Sequence, residues 1–334
     1  MAAPVFPKFG KPGALRSSRA LEPARRPNLR RFAEMVSVRR RSSAELIVQV
    51  EVGVQRVANY SEKGGVGKTS NSAGMVAEAA ERGLNVLAVD LDPRATLTEE
   101  LGVKEPRFTI NDLLYIDPEA DTPPGDPADL IHDAISRAGA SWPSNVWVLP
   151  AERPLGRRET DATMFETRLR RALEGLNGEI DLAVMDVPPR AGGKLATCAL
   201  IAAKKVFIPA TLTTDGQLGA EQALRTIRFV SAPGSGMNED LEIAGLVRSI
   251  LPKKNDMRAV NHFVNERIVE TFGDMVLDDL DADEGHYSGI VSYSVREECR
   301  LACAPITAAP GREAKRLRRW YGQLLDHALV QKGA

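Results

Sequence analysis

Residues 62–70 read Glu-Lys-Gly-Gly-Val-Gly-Lys-Thr-Ser, with three glycines and two lysines packed into a few positions. Such a run suits phosphate. Backbone N–H groups from Gly64, Gly65, Val66, Gly67, Lys68, Thr69 and Ser70 can converge on phosphate oxygens, and a lysine adds charge. The common phosphate-loop pattern, G-x-x-x-x-G-K-[ST], fits at Gly67, Lys68 and Thr69, but its opening glycine position holds Glu62. Lys68 is the candidate for the β- and γ-phosphates and Thr69 for a hydroxyl on Mg²⁺. Two acidic groups complete the set: Asp90 and Asp92 close the run VLAVDLDP, and Asp186 closes DLAVMDVPP. Hydroxyl, carboxylate and loop lysine together are the parts nucleotide hydrolysis requires. Asp186 is the candidate carboxylate behind the cation. A lone Gly-Lys-Thr can be a plain turn and a lone Asp a helix cap; it is the three pieces in this order that favour a nucleotide site.

The elements that must carry these groups are legible. ELIVQVEVGVQRVANY, rich in Val and Ile, precedes the loop as one or two strands, and helix is predicted from Thr69 to Arg82. Each acid follows a near-continuous apolar run, so the chain leaves a buried strand where the carboxylate appears. Further strands are predicted at NVWVLPA, KKVFIPAT, LEIAGLVRSIL and, short and last, GIVSYSV. Helices are predicted at MFETRLRRALEGL, GQLGAEQALRTIRFV, NHFVNERIVETFG and GREAKRLRRWYGQLLDHALV. Residues 117–145 read as a surface excursion around a short helix. Alternating strand and helix predicts an α/β fold of three layers, a mostly parallel twisted sheet with helices on both faces. Ligands of such sheets sit beyond the C-terminal strand ends, which is where the loop and the acids fall.

Composition narrows the class. With 43% hydrophobic and 27% charged residues the chain can build a core without disulfides or a structural metal, and its three cysteines suit a reducing cytosol. No apolar run reaches the ~20 residues of a membrane span. The net charge of −1 hides an asymmetry: residues 1–56 carry twelve Lys/Arg against four Glu, a balance of +8 that leaves −9 for the other 278. Residues 1–44, rich in proline and arginine, are expected to form a disordered arm. It reads as a solvated tail or an early start, as a basic arm on nucleic acid, or as an organelle transit peptide. Residues 45–334 are expected to form the nucleotide-binding domain.

KGGVGKTS resembles the deviant phosphate loop of the ParA/MinD group of P-loop ATPases, which begins with lysine and lacks the first glycine. VLAVDLDPRATLTEELG resembles that group's D-x-D-P-Q-x-x-x-T segment, DLAVMDVPP its strand followed by D-x-P-P, and KKVFIPATLTTDGQLGAEQAL the next strand and helix. SYSVREECRLACAPI resembles, more loosely, a late I-P-x-x-V-R-x-x-E-A-P segment. The likeness runs from about residue 55 to the C-terminus and is nearest to partition ATPases of the ParA type. It implies ATP and Mg²⁺ as ligands and a sandwich homodimer in which Lys63 reaches the nucleotide of the other subunit. It further implies that Asp92 positions the attacking water and that Asp90 supports the Mg²⁺ shell. Arg94 stands where the group prefers Gln, Ser70 where a second Thr is usual, and Val187 where Thr or Cys is common.

Three functions follow as expectations. In the first, the ATP-bound dimer binds DNA without sequence preference, and a ParB-like centromere-binding partner triggers hydrolysis; such a protein is cytoplasmic and nucleoid-associated. Arg296 matches a DNA-contacting arginine of partition ATPases, with Arg258, Arg267 and Arg300 as weaker candidates. Any one of these is otherwise a solvated surface charge. In the second, the final helix anchors a MinD-like ATPase to membrane through Ala314, Leu317, Tyr321, Leu324 and Ala328; a stripe at that spacing equally predicts packing on the sheet. In the third, the protein is a non-catalytic nucleotide-binding regulator. Clusters are disfavoured, because Cys299 and Cys303 are spaced C-x-x-x-C in a late loop.

Overall fold

The computed structural model describes residues 53–120, 124–250, 256–278 and 293–330. The expected arm 1–44 and the boundary at 45 lie outside the described residues.

The core is a sheet of seven strands among the described residues: β1 (Gln55–Asn59), β2 (Val86–Asp90), β3 (Ser136–Arg137), β4 (Val146–Leu149), β5 (Leu182–Asp186), β6 (Lys205–Ala210) and β7 (Glu242–Arg248). Their spatial order is β3-β4-β2-β5-β1-β6-β7. Only β3 pairs antiparallel, to β4. The helices are α1 (Lys68–Glu81), α2 (Thr96–Glu100), α3 (Ile110–Leu114), α4 (Pro127–Ala134), α5 (Arg168–Glu174), α6 (Lys194–Ala202), α7 (Thr214–Val230), α8 (Ala259–Phe272), α9 (Tyr293–Leu301) and α10 (Arg312–Leu329).

Two apolar layers sandwich the sheet, and the strands divide their side chains between them by parity. Val57, Val86, Ala88, Leu182, Val184 and Phe207 face one cluster with α1, α2 and α10. Ala58, Leu87, Val89, Ala183, Met185, Val206 and Ile208 face the other, with α3 to α8. Central strands buried on both faces must be apolar at every position, which is why VLAVD and LAVMD read as unbroken apolar runs. Three layers with a mostly parallel sheet match the fold class expected.

Three local expectations need correction. Tyr293–Val295, expected in a short last strand, open helix α9; residues 289–292 of that segment lie outside the described residues. The amphipathic run at 164–176 is helical only over Arg168–Glu174, with Pro and Gly residues upstream favouring the 3₁₀ segment Arg153–Thr160. The excursion at 117–145 holds the expected helix, α4, and also the two-residue strand β3, too short to carry a period.

The last helix packs rather than projects. Ala314, Leu317, Trp320, Tyr321, Leu324, Leu325 and Ala328 are all buried. Tyr321 lies flat against α1 at Gly74, where an added Cβ would fall 2.4 Å from the ring. The stripe that suggested membrane is thereby consumed by the fold. Among the described residues no helix is long and apolar enough to cross a membrane.

Candidate functional site

The loop lies between β1 and α1, at the C-terminal end of the central strands. It turns through Gly65 (φ 76°) and Gly67 (φ 88°), left-handed conformations that glycine adopts without steric cost. At Gly67 a Cβ would also stand 3.1 Å from Cβ of Ser249. Gly67 caps α1 without a side-chain bond, so the first N–H groups of the helix are left for a ligand.

Glu62 explains the missing glycine. Its Oε1 accepts from the Tyr60 hydroxyl at 3.0 Å and from Thr226 Oγ1 at 2.7 Å. The carboxylate thus ties the start of the loop to α7. Lys63 follows suit: its Nζ bonds Asp215 Oδ2 at 2.9 Å. Both partners of that pair are well exposed. Gly219 of α7 gives Lys63 room, because a Cβ there would fall 2.6 Å from Cβ of Lys63. Lys63 therefore sits at the rim, outside its own phosphate cradle.

Lys68 turns inward. Only 7% exposed, its ammonium donates to the Lys63 carbonyl at 3.0 Å and to that of Ser61 at 3.3 Å. Burial lowers its pKa to about 8, against the pull of Asp186 and Asp92. A lysine so held curls over the loop, with its charge stored where an anion would gain most from it.

Thr69 and Asp186 are brought together. The Thr69 hydroxyl donates to Asp186 Oδ2 at 2.6 Å. Ser72 Oγ lies 3.4 Å from Asp186 Oδ1 and accepts from Asn59 Nδ2 at 3.0 Å. Neighbouring β5 and β2 align Asp186 with Asp90. Burial, and next the charge of Asp90, push the Asp186 carboxyl up to about 8. A buried acid pair with a hydroxyl 2.6 Å away is a donor set short of positive charge, and it fits Mg²⁺. Thr69 and Asp186 are the residues that would hold the cation.

Asp90, beside Asp186, has hydrogen-bond partners of its own. Its Oδ2 accepts from the Thr98 N–H at 2.9 Å and hydroxyl at 2.8 Å, and its Oδ1 from the Asp92 N–H at 3.0 Å. Its carboxylate is spent on holding the start of α2, and burial raises it to about 6. The residue missed was Thr98, whose Oγ1 also accepts from the Ala151 N–H at 2.9 Å. Its spacing eight residues after Asp90 was the available signal.

Asp92 is clamped by its neighbour. Arg94 Nη2 donates to Asp92 Oδ2 at 3.0 Å and the Arg94 N–H to Oδ1 at 3.0 Å, with Nε 3.3 Å from each oxygen.

The four arginines expected at DNA divide. Arg258 and Arg300 are exposed. Arg267 is half exposed and lies 3.9 Å from Glu270. Arg296, the leading candidate, is corrected: it is 5% exposed and ion-paired with buried Glu100. A charge at the end of an amphipathic segment is normally solvated, so its burial was not visible in the spacing.

A glycine-rich loop capping a helix, with inward lysine, hydroxyl and strand-end carboxylate, defines a P-loop nucleotide-binding protein. A family model described as an AAA domain matches residues 54–243. The chain is 32% identical over 206 residues to the sporulation initiation inhibitor protein Soj of Bacillus subtilis, covering 60% of this chain and 74% of that one. Its fold resembles cobyrinic acid a,c-diamide synthase of Mycobacterium smegmatis, solved with ADP and magnesium: TM-score 0.60, 26% identity, 82% of this chain and 95% of that one. It also resembles the cell division ATPase MinD of Pyrococcus furiosus, at TM-score 0.58 and 20% identity over 82% and 98% of the two chains, a likeness of fold alone. The chain belongs to this AAA-domain family, within the ParA/MinD group of P-loop ATPases, whose ligands are ATP and Mg²⁺.

Proposed function

We propose that this protein is a ParA-type partition ATPase: it binds ATP with Mg²⁺, dimerises on it, holds DNA without sequence preference in that state, and releases DNA on hydrolysis. The observation that carries the reading is the Thr69–Asp186 bond of 2.6 Å behind a loop whose lysine is turned inward. Backbone N–H groups of residues 64–70 hold the phosphates, and Lys68 exchanges its two carbonyl partners for phosphate oxygens. Thr69 and Asp186 would hold the cation, which would supply neutralisation of negative charge on the phosphates. Asp92 orients water for in-line attack.

Lys63 supports the dimer. It cannot serve its own loop while paired with Asp215 at the rim, and an ammonium so exposed is placed to meet a nucleotide bound to a second copy. Supplying that charge in trans makes turnover depend on association. For DNA, the exposed cations Arg258, Arg267 and Arg300 supply phosphate contacts, joined on α10 by Arg312 and Lys315. A ParB-like protein on the cargo is the expected activator. The MinD-like reading has lost its motivating face, since the apolar stripe of α10 is buried.

The test is retention on non-specific duplex DNA with ATP, with ADP and without nucleotide, at two salt concentrations. Retention with ATP alone, falling steeply with salt, is expected. Arg258→Ala, Arg267→Ala and Arg300→Ala should each lower the salt slope by about 1. ATP binding without any DNA retention at low salt would sink the DNA half of the reading.

A further inference from the structure

Asp92 is the carboxylate assigned to water, yet neither of its oxygens is unoccupied. Oδ1 accepts from the Arg94 N–H and Nε, and Oδ2 from Nε and Nη2. The acid side chain is 11% exposed while the arginine side chain is 69% exposed. The clamp is therefore a buried carboxylate covered by a guanidinium whose other face meets solvent.

The backbone builds this arrangement deliberately. The Ala95 N–H donates to the Asp92 carbonyl at 2.8 Å, closing a turn over Pro93 and Arg94. Ala95 leaves that turn at φ 55°, a left-handed conformation costly for a residue with a Cβ. Proline fixes φ before Arg94 and the strained alanine fixes the exit after it. The guanidinium is thereby folded back onto the acid two residues earlier.

Arg94 also lies within the field of the phosphate cradle. Its charge acts on Lys68, and Asp186 and Asp90 act on it. A guanidinium fork matches phosphate as well as carboxylate, and a terminal phosphate carries more charge than one carboxylate. With its arginine side chain 69% exposed, the guanidinium can leave Asp92 for a competing anion without unpacking the core.

We infer that Arg94 is the sensor of the terminal phosphate: it shields Asp92 in the resting protein and moves to the γ-phosphate of a bound nucleoside triphosphate, which frees Asp92 for water. This rests on the nucleotide site proposed above. A diphosphate presents nothing at that position, so the clamp stays shut with ADP. Glutamine cannot do this, because it has no charge to trade between acid and phosphate.

The experiment measures equilibrium binding of fluorescent ADP and of a non-hydrolysable fluorescent triphosphate, with Mg²⁺, to the full chain and to Arg94→Gln, alongside melting temperatures. Wild type should prefer the triphosphate. Arg94→Gln should lose on the order of tenfold in triphosphate affinity, the scale of one charge-assisted contact, with ADP affinity within twofold and melting temperature unchanged. Equal triphosphate binding in the variant overturns the sensor. So does a parallel fall in both affinities or a drop in melting temperature, which marks a structural role. Wild type binding neither nucleotide overturns the site reading itself, and the sensor with it.

Discussion

The guanidinium of Arg296 on α9 and the carboxylate of Glu100 at the end of α2 form an ion pair buried on both sides, with side chains 5% and 3% exposed. Glu100 pushes the arginine further from neutrality against the effect of burial. The pair joins the late segment of the chain to the helix that begins four residues after Asp92, so the loop carrying Asp92 is braced from the far end of the sequence.

Breaking that pair on one side strands a buried charge. Arg296→Ala or Glu100→Ala should each destabilise the protein by about 3–5 kcal/mol. Arg296→Met with Glu100→Gln should recover much of the loss. Urea denaturation of the three variants checks this. Loss of DNA retention in Arg296→Ala would then report unfolding and not a missing phosphate contact. If Arg296→Ala keeps full stability, the brace does not exist.

Gly74 offers a second structural test. A methyl there would meet the Tyr321 ring at 2.4 Å, between two helices of one packed layer. Gly74→Ala should cost about 1–3 kcal/mol through overpacking, although alanine favours helix. Relief by Tyr321→Leu in the double variant, read from denaturation midpoints, would identify that contact as the cause.

The buried acids set a pH dependence. Asp186 is raised to about 8 and Asp90 to about 6, both from 3.8. The folded state then holds protons that the unfolded chain releases, so their contribution to stability is complete below 3.8 and falls as pH climbs through 6 and 8. Lys68, lowered from 10.5 to about 8, acts oppositely and only above 8. The melting temperature of nucleotide-free protein should decline from pH 6 to pH 8, and Asp186→Asn should flatten the decline. Equal slopes in the two proteins would remove Asp186 as its source.

How much of this was readable in advance follows from where each residue stands. Asp90, Asp92 and Asp186 announced themselves because a strand buried on both faces must be apolar until it leaves the core. The loop was legible because glycine and lysine at that spacing have few other uses. The side chains' partners were not. Nothing local distinguishes Asp90, which holds Thr98, from Asp186, which meets Thr69; only the strand order places one over α2 and the other over α1. Arg296 looked like a surface cation because its partner lies 196 residues away. Tyr293–Val295 looked like strand because β-branched and aromatic residues favour extension when tertiary context is unknown.

The central claim is Mg²⁺-dependent ATP turnover by a site shared between two copies. The direct measurement is steady-state phosphate release against protein concentration for wild type, Lys63→Ala and Asp92→Ala. Wild type should show specific activity that rises with concentration. Asp92→Ala should lose about 100-fold or more, and Lys63→Ala should lose the concentration dependence. Turnover at wild-type level in Asp92→Ala, or none in wild type with Mg²⁺ present, would contradict the account.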